Sequence, residues 1–412
     1  MRSRHEMPFG ASLAPGGGVN FRLWGPAARQ VELALDAGVQ PRLMPASCDA
    51  DGWWECHVPE AGSGTLYRWR INGEALVPDP ASRQNPLGPL QPSCVVDPRQ
   101  FEWDDDWAGR PWPEVVLYEL HVGAFTAEGT FAAASERLAE LARLGITAIE
   151  LMPVAAFPGR FGWGYDGVLP FAPHAAYGTP DEFKHFVQAA HRLRLMVFLD
   201  VVHNHFGPAG NYLGQYAPQF FSTSHASPWG AAINFDGPGS RVVRDFFVHN
   251  ALYWIQEYRI DGLRLDAVHA FKDERAVHLL EEFGALADDV SAETGRPVTM
   301  IAESDLNDPR LLYPRDVNGY GLAGQWSDDF HHAVHVNVSG EAAGYYADFD
   351  SLEALAKVLV DGFFHDGSYS SFRGRHHGRP INTAAVHPAA LVVCSQNHDQ
   401  IGNRATGDRL SQ

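Results

Sequence analysis

Basic residues are scarce in this chain of 412 residues: 31 Lys and Arg stand against 50 Asp and Glu, a formal net charge of −19. That balance argues against nucleic acid and anionic membrane as partners, because both are gripped by clustered cations. Cysteine is nearly absent. Cys48, Cys56, Cys94 and Cys394 form no CxxC pair and no His-linked zinc spacing. Free, mostly buried thiols are therefore expected, with no disulfide frame and no structural metal. No run approaches the roughly 20 apolar residues of a membrane span. The opening MRSRHEMPFGASLAPGGG also lacks an apolar core of signal-peptide length. A soluble cytoplasmic protein is the expectation.

What the chain does have is length, aromatic rings and alternating patterns. Its length leaves room for two or three domains. The 11 Trp, 13 Tyr and 24 Phe suit stacking on the C–H faces of sugar rings, but any large core uses them too, so they decide little. Residues 1–108 read as an antiparallel β-sandwich built from short alternating runs: VNFRLWGP (19–26), QVELALD (30–36), GWWECHVP (52–59) and TLYRWRING (65–73). Proline, asparagine and glycine then cluster at 77–93, followed by an acidic turn region, and the boundary is expected near 108.

From 109 to 412 strands and helices alternate, which indicates a parallel α/β sheet or barrel. Strand-like runs fall at 115–125, 148–154, 196–205, 262–268, 298–304, 324–334 and 389–396. Helical patterns fall at 131–145, 181–195, 241–258, 273–295 and 352–364. Seven strands leave a (β/α)8 TIM barrel one short of closure, so the barrel is expected to be truncated after strand seven.

Four of the apolar runs end in clusters that carry carboxylates: FLDVVHNH, DGLRLDAVH, TMIAESD and LVVCSQNHD. Residues at the C-terminal ends of parallel strands converge on one face of a barrel, so distant carboxylates become neighbours. Cleaving the acetal between two sugars by a retaining route needs one carboxylate to attack and one protonated carboxyl to hand the leaving oxygen a proton. Asp266, Glu303 and Asp399 each close such a run. The first spacing fits one β-α-β unit and the second fits two.

Arg264 and Asp266 are two apart, so on a strand they point to the same side, and the guanidinium would hold the carboxylate ionised. A structural salt bridge at a strand end is the plainer alternative. Glu303 after an apolar run could be a partly buried general acid, or a helix cap. Asn397, His398 and Asp399 could brace sugar hydroxyls and a cationic transition state, or form a polar loop. Asp200, His203, Asn204 and His205 have metal-ligand chemistry, but no HExxH-type partner accompanies them. Sugar-hydroxyl binding by His205, with Asp200 structural, is the preferred reading.

Together YELHVGAF, ELMPV, DVVHNH, GLRLDAVH, IAES and QNHD resemble the sequence regions of the α-amylase superfamily, glycoside hydrolase family 13, from about Tyr118 onward. The resemblance implies a (β/α)8 barrel and a retaining double displacement. Asp266 would be the nucleophile, Glu303 the general acid/base and Asp399 the transition-state stabiliser. Arg264, His205 and His398 would line the glucose site, with Tyr165 of GWGYDG stacked beneath the sugar. VNFRLWGPAARQVELAL resembles the N-terminal sandwich of branching, debranching and trehalose-forming members.

DVVHNHFGPAGNYL, AESDLNDPRL, WSDDFHHAVH and QNHDQIGNRATGDRL are similar to the family's trehalose-releasing members over more residues than to its branching enzymes. This likeness implies hydrolysis of the α-1,4 bond next to the terminal trehalose unit of maltooligosyltrehalose. The alternatives are a 1,4-α-glucan branching transglycosylase and a non-catalytic glucan-binding protein. By the same resemblance Asp328, Asp329, Phe330, His331 and His332 belong to the substrate site. So do segments 264–269 and 398–403, which include Leu265, His269, Gln400 and Asn403. Phe372 and Arg373 would meet the trehalose end, with Tyr345 or Tyr346 nearby. Maltooligosyltrehalose or a related α-glucan is the implied substrate, and a maltooligosyltrehalose-forming enzyme the implied functional pair. No cofactor and no metal are implied. The family's eighth strand and C-terminal β-domain lie outside the sequence.

Overall fold

A computed structural model describes residues 5–35, 40–104 and 106–401. It contains two compact units. The first comprises Met1–Arg110, Glu114–Leu263 and Ala270–Arg275. The second comprises Pro111–Pro113, Arg264–His269 and Ala276–Gln412.

The first unit opens with two antiparallel sheets. One runs in the order Gly10–Leu13, Val19–Trp24, Trp53–Val58, Ser47–Cys48. The other runs Arg42–Pro45, Val31–Leu35, Leu66–Ile71, Ala75–Val77, with Ser93–Cys94 also on Leu66–Ile71. Alternation decides which side chains enter the core. Val19, Phe21 and Leu23 are buried while Asn20 and Arg22 between them face outward. Phe21 meets Tyr67 edge-on, their centroids 4.7 Å apart. The four long runs expected in this region all form strands, trimmed by a residue or two. The five shorter strands went unforeseen because each holds only two to four residues.

The same unit carries the parallel strands Leu117–Leu120, Ala148–Leu151 and Met196–Val201, paired in register. Helices Phe131–Arg143 and Pro180–Arg192 follow the first two. Thr130 caps the former, and Thr179 with Glu182 forms a full capping box on the latter. Helix Ser240–Leu252 stops short of its expected end, continuing instead as a π-helical turn over Tyr253–Glu257. Gly164 has φ of 96°, and a Cβ there would lie 2.2 Å from the Pro153 carbonyl oxygen, so only glycine lets this loop close beneath Tyr165.

In the second unit Thr299–Ala302 pairs in parallel with Gly324–Trp326, which pairs with Leu391–Val392. Strand Gly262–Leu265 straddles the division, and in chain order these are seven strands of one parallel sheet. No eighth is found among the described residues.

Two expectations need correction here. Run 324–334 is a strand only at Gly324–Trp326, after which Asp328–Ser339 is a helix. Asp328 and Asp329 sit in its first turn, where carboxylates favour the positive end of the helix dipole. Gly340 ends it in a left-handed conformation, φ 74°. The four cysteines are free, but only Cys94 is buried. Cys48 is exposed, and Cys56 and Cys394 lie between.

Candidate active site

Three of the carboxyls expected at strand ends lie in the second unit. Strand Gly262–Leu265 is buried along its length, so Arg264 begins in the interior and reaches forward. Its Nη1 donates to Asp266 Oδ1 at 2.6 Å, and its Nη2 lies 3.8 Å from Glu303 Oε2. Leu265 is itself buried and offers its carbonyl, which accepts from the Glu303 N–H at 3.0 Å.

Ala267 adopts φ of 43°, a left-handed backbone that costs a non-glycine residue of order 1 kcal/mol or more. That twist aims its N–H at Glu303 Oε2, 2.6 Å away. Burial raises the Glu303 carboxyl above the usual range. The negative charge of Asp266 pushes the same way, against the opposing pull of Arg264, Ala267 N–H and His269.

Asp399 is placed differently. It is exposed, in a turn closed by Asn397, whose Oδ1 accepts from the N–H groups of Asp399 at 3.0 Å and Gln400 at 2.6 Å. His398 Nε2 lies 3.4 Å from Asp399 Oδ2, and this hydrogen bond is the main reason the carboxyl is held below the usual range. The environments of Glu303 and Asp399 thus move two carboxyls in opposite directions.

Helix Asp328–Ser339 supplies the neighbouring groups. The Ser327 N–H donates to the Val392 carbonyl at 2.9 Å, which seats the helix start beside the strand end. Burial, and behind it the charges of Glu303, Asp329, Asp305 and Asp399, push the Asp328 carboxyl up from 3.8 to about 7. Asp329 is buried, its Oδ2 accepting from Asn307 Nδ2 at 2.7 Å and from the N–H groups of Phe364 and His365 at 2.8 and 3.1 Å. Phe330 is partly buried against the small core around Phe349. His331 is fully buried, and His332 Nε2 lies 3.3 Å from Gln400 Oε1.

Asp305, two residues past Glu303, was not singled out from the sequence, yet it ties three other residues together. Its Oδ2 accepts from Arg373 Nη2 at 2.7 Å, its Oδ1 lies 3.9 Å from His269 Nδ1, and its carbonyl pairs with His377 Nε2 at 2.7 Å. Its alternation with Glu303 was the only available signal. Phe372 is exposed and meets Tyr345 edge-on at 5.8 Å. Asn403 lies outside the described residues.

In the first unit, Tyr165 Oη donates to Asp200 Oδ2 at 2.7 Å, and His205 Nε2 lies 2.9 Å from the Tyr165 carbonyl. Asn204 Oδ1 engages the other ring nitrogen of His205. His203 pairs with Asn250 at 2.8 Å. Asp200, His203, Asn204 and His205 are thus all engaged with protein atoms.

The raised Asp328 carboxyl makes stability pH-dependent. The native state holds this proton more tightly than the unfolded chain, so its contribution is complete below about pH 4 and is lost as pH rises to about 7. Asp328→Asn is expected to match the parent in Tm near pH 4 and to exceed it near pH 8. Parallel melting curves across that range would contradict it.

The family model for carbohydrate-binding module 48 (isoamylase N-terminal domain) matches residues 8–97, and that for the alpha amylase catalytic domain matches 96–227. The malto-oligosyltrehalose trehalohydrolase of Rhizobium sp. (strain M-11) is 59% identical over 403 residues, covering 96% of this chain and 67% of its own length. The protein of the same name from Saccharolobus solfataricus is 44% identical, covering 98% and 70%. The chain belongs to the malto-oligosyltrehalose trehalohydrolase family. It spans about two thirds of the length of these relatives.

Other matches are more distant or concern the fold. The 1,4-alpha-glucan branching enzyme of Thiobacillus denitrificans is 33% identical over 75% of the chain and 47% of its own length. A solved alpha-amylase-type chain from Salmonella typhimurium superposes with a TM-score of 0.90 at 42% identity, covering 98% of this chain and 68% of that one. A pullulanase from Anoxybacillus sp. LM18-11 shares the fold at a TM-score of 0.68 and 20% identity, covering 87% and 59%. The trehalohydrolase family's fold class and glycoside hydrolase character hold for this chain as the sequence motifs led one to expect.

Proposed function

We propose that the chain hydrolyses the α-1,4 bond next to the terminal trehalose unit of maltooligosyltrehalose, releasing trehalose by a retaining double displacement. The observation that carries the chemistry is one buried guanidinium serving two carboxyls: Arg264 clasps Asp266 at 2.6 Å, while burial raises Glu303 beside them. The names of the relatives carry the choice of substrate.

Asp266, whose Oδ1 accepts from Arg264 Nη1, attacks the anomeric carbon as its carboxylate. Ala267 N–H occupies Glu303 Oε2, so Oε1 carries the proton given to the departing trehalose oxygen. The glycosidic C–O bond breaks, its electron pair takes that proton, and a glycosyl ester forms on Asp266. Water then attacks the same carbon, Glu303 Oε1 takes its proton, and Asp266 leaves as carboxylate. Asp399, kept ionised by His398, faces the positive charge that develops at both steps.

A maltooligosyltrehalose-forming enzyme would supply the substrate. No helix among the described residues is long and apolar enough to cross a membrane, and a cytoplasmic setting fits the sugars involved.

Incubation with maltooligosyltrehalose is expected to release free trehalose, with the maltooligosaccharide first appearing as its α-anomer by proton NMR. New α-1,6 branches from amylose without trehalose would place the chain with the branching-enzyme relative instead. A β-anomer would overturn the double displacement.

A further inference from the structure

We propose that His331 is a positioning residue, holding through the Ser395 carbonyl the turn that presents Asp399; this rests on the reading of Asp399 as transition-state stabiliser. His331 has no exposed surface, and both of its ring nitrogens are engaged. Nδ1 lies 2.6 Å from the Ser395 carbonyl oxygen and Nε2 lies 2.8 Å from Tyr346 Oη. A carbonyl can only accept, so Nδ1 carries the hydrogen, and Nε2 then accepts from the tyrosine hydroxyl. A ring so placed does not touch a sugar.

Tyr346 is itself held. It is buried and stacked on His335, with centroids 4.5 Å apart and planes at 22°. His335 Nε2 in turn lies 2.9 Å from Glu341 Oε2. Asn397 N–H donates to the Gln400 carbonyl at 3.1 Å, and Asn397 Oδ1 accepts two further N–H groups, so the turn moves as a unit. It is anchored upstream by His331 through Ser395 and downstream by His332 through Gln400. Two consecutive residues of helix Asp328–Ser339 therefore set where the Asp399 carboxylate points. A displacement of about 1 Å in such a group can cost about 100-fold in rate.

Two isosteres separate the two bonds. Asn places its amide N–H near Nδ1 and keeps the Ser395 bond, whereas Gln places its amide near Nε2 and keeps only the Tyr346 side. His331→Gln is expected to lower kcat about 10- to 100-fold with KM within about twofold, while His331→Asn keeps the greater part of kcat at a similar fall in Tm. Tyr346→Phe removes one hydroxyl and leaves the core filled. It is expected to lower kcat about 3- to 10-fold, because the imidazole keeps its Ser395 bond but loses the hydroxyl that fixes the tilt of the ring. Equal losses in the Asn and Gln variants, or an unchanged kcat in Tyr346→Phe, overturn the proposal while Asp399→Asn is inactive. An active Asp399→Asn would instead remove the reading of Asp399 on which it rests.

Discussion

Asp266→Asn is expected to lower kcat on maltooligosyltrehalose by about 10⁴-fold or more, with KM little changed. An amide oxygen keeps the contact with Arg264 Nη1, so the buried guanidinium is not stranded and the fold survives. What is lost is the nucleophile, since a neutral amide cannot form the glycosyl ester. Asp266→Ala with added azide extends the test. Azide attacks the anomeric carbon from the vacated face, the glycosidic bond breaks with protonation by Glu303, and a β-glycosyl azide is expected. Residual hydrolysis within about tenfold of the parent would remove Asp266 from the role.

Glu303→Gln is expected to cost about 10²- to 10⁴-fold on maltooligosyltrehalose, the span that general acid catalysis contributes. Fluoride departs without a proton, so an α-glycosyl fluoride should still glycosylate Asp266 in this variant, seen as a burst of fluoride. Turnover after the burst should be slow, because the base for water is gone. An equal loss on both substrates would assign Glu303 a structural part.

The pH profile follows from the same carboxyl. Burial raises its pKa, so the protonated, active form persists toward neutral pH, and the rate falls as pH climbs through the raised value. That alkaline limb should be absent from the fluoride burst of the Gln variant.

Much of this site could be read from residue order. Strand alternation pointed Arg264 and Asp266 to one side and their contact is found, although the strand ends at Leu265 and Asp266 stands in the turn just after it. The parallel sheet announced itself through apolar runs alternating with amphipathic helices. Residues 324–334 show where such reading stopped. An apolar start continued into Asp328–Ser339, and only packing around Phe349 decided that the second part would coil as a helix. Asn307 carried no local signal, because its partner Asp329 lies more than twenty residues away and the bond depends on where the backbone places two atoms.

By itself the sequence determined which chemical groups stand at the strand ends and in what order, because strand periodicity and chain direction are local properties. Tertiary structure alone decided the protonation of those groups. Glu303 is raised and Asp328 lifted to about 7 because burial and the charges of neighbours distant in the chain act through space, while Asp399 is lowered chiefly by a hydrogen bond from His398 that exists only once the turn is folded.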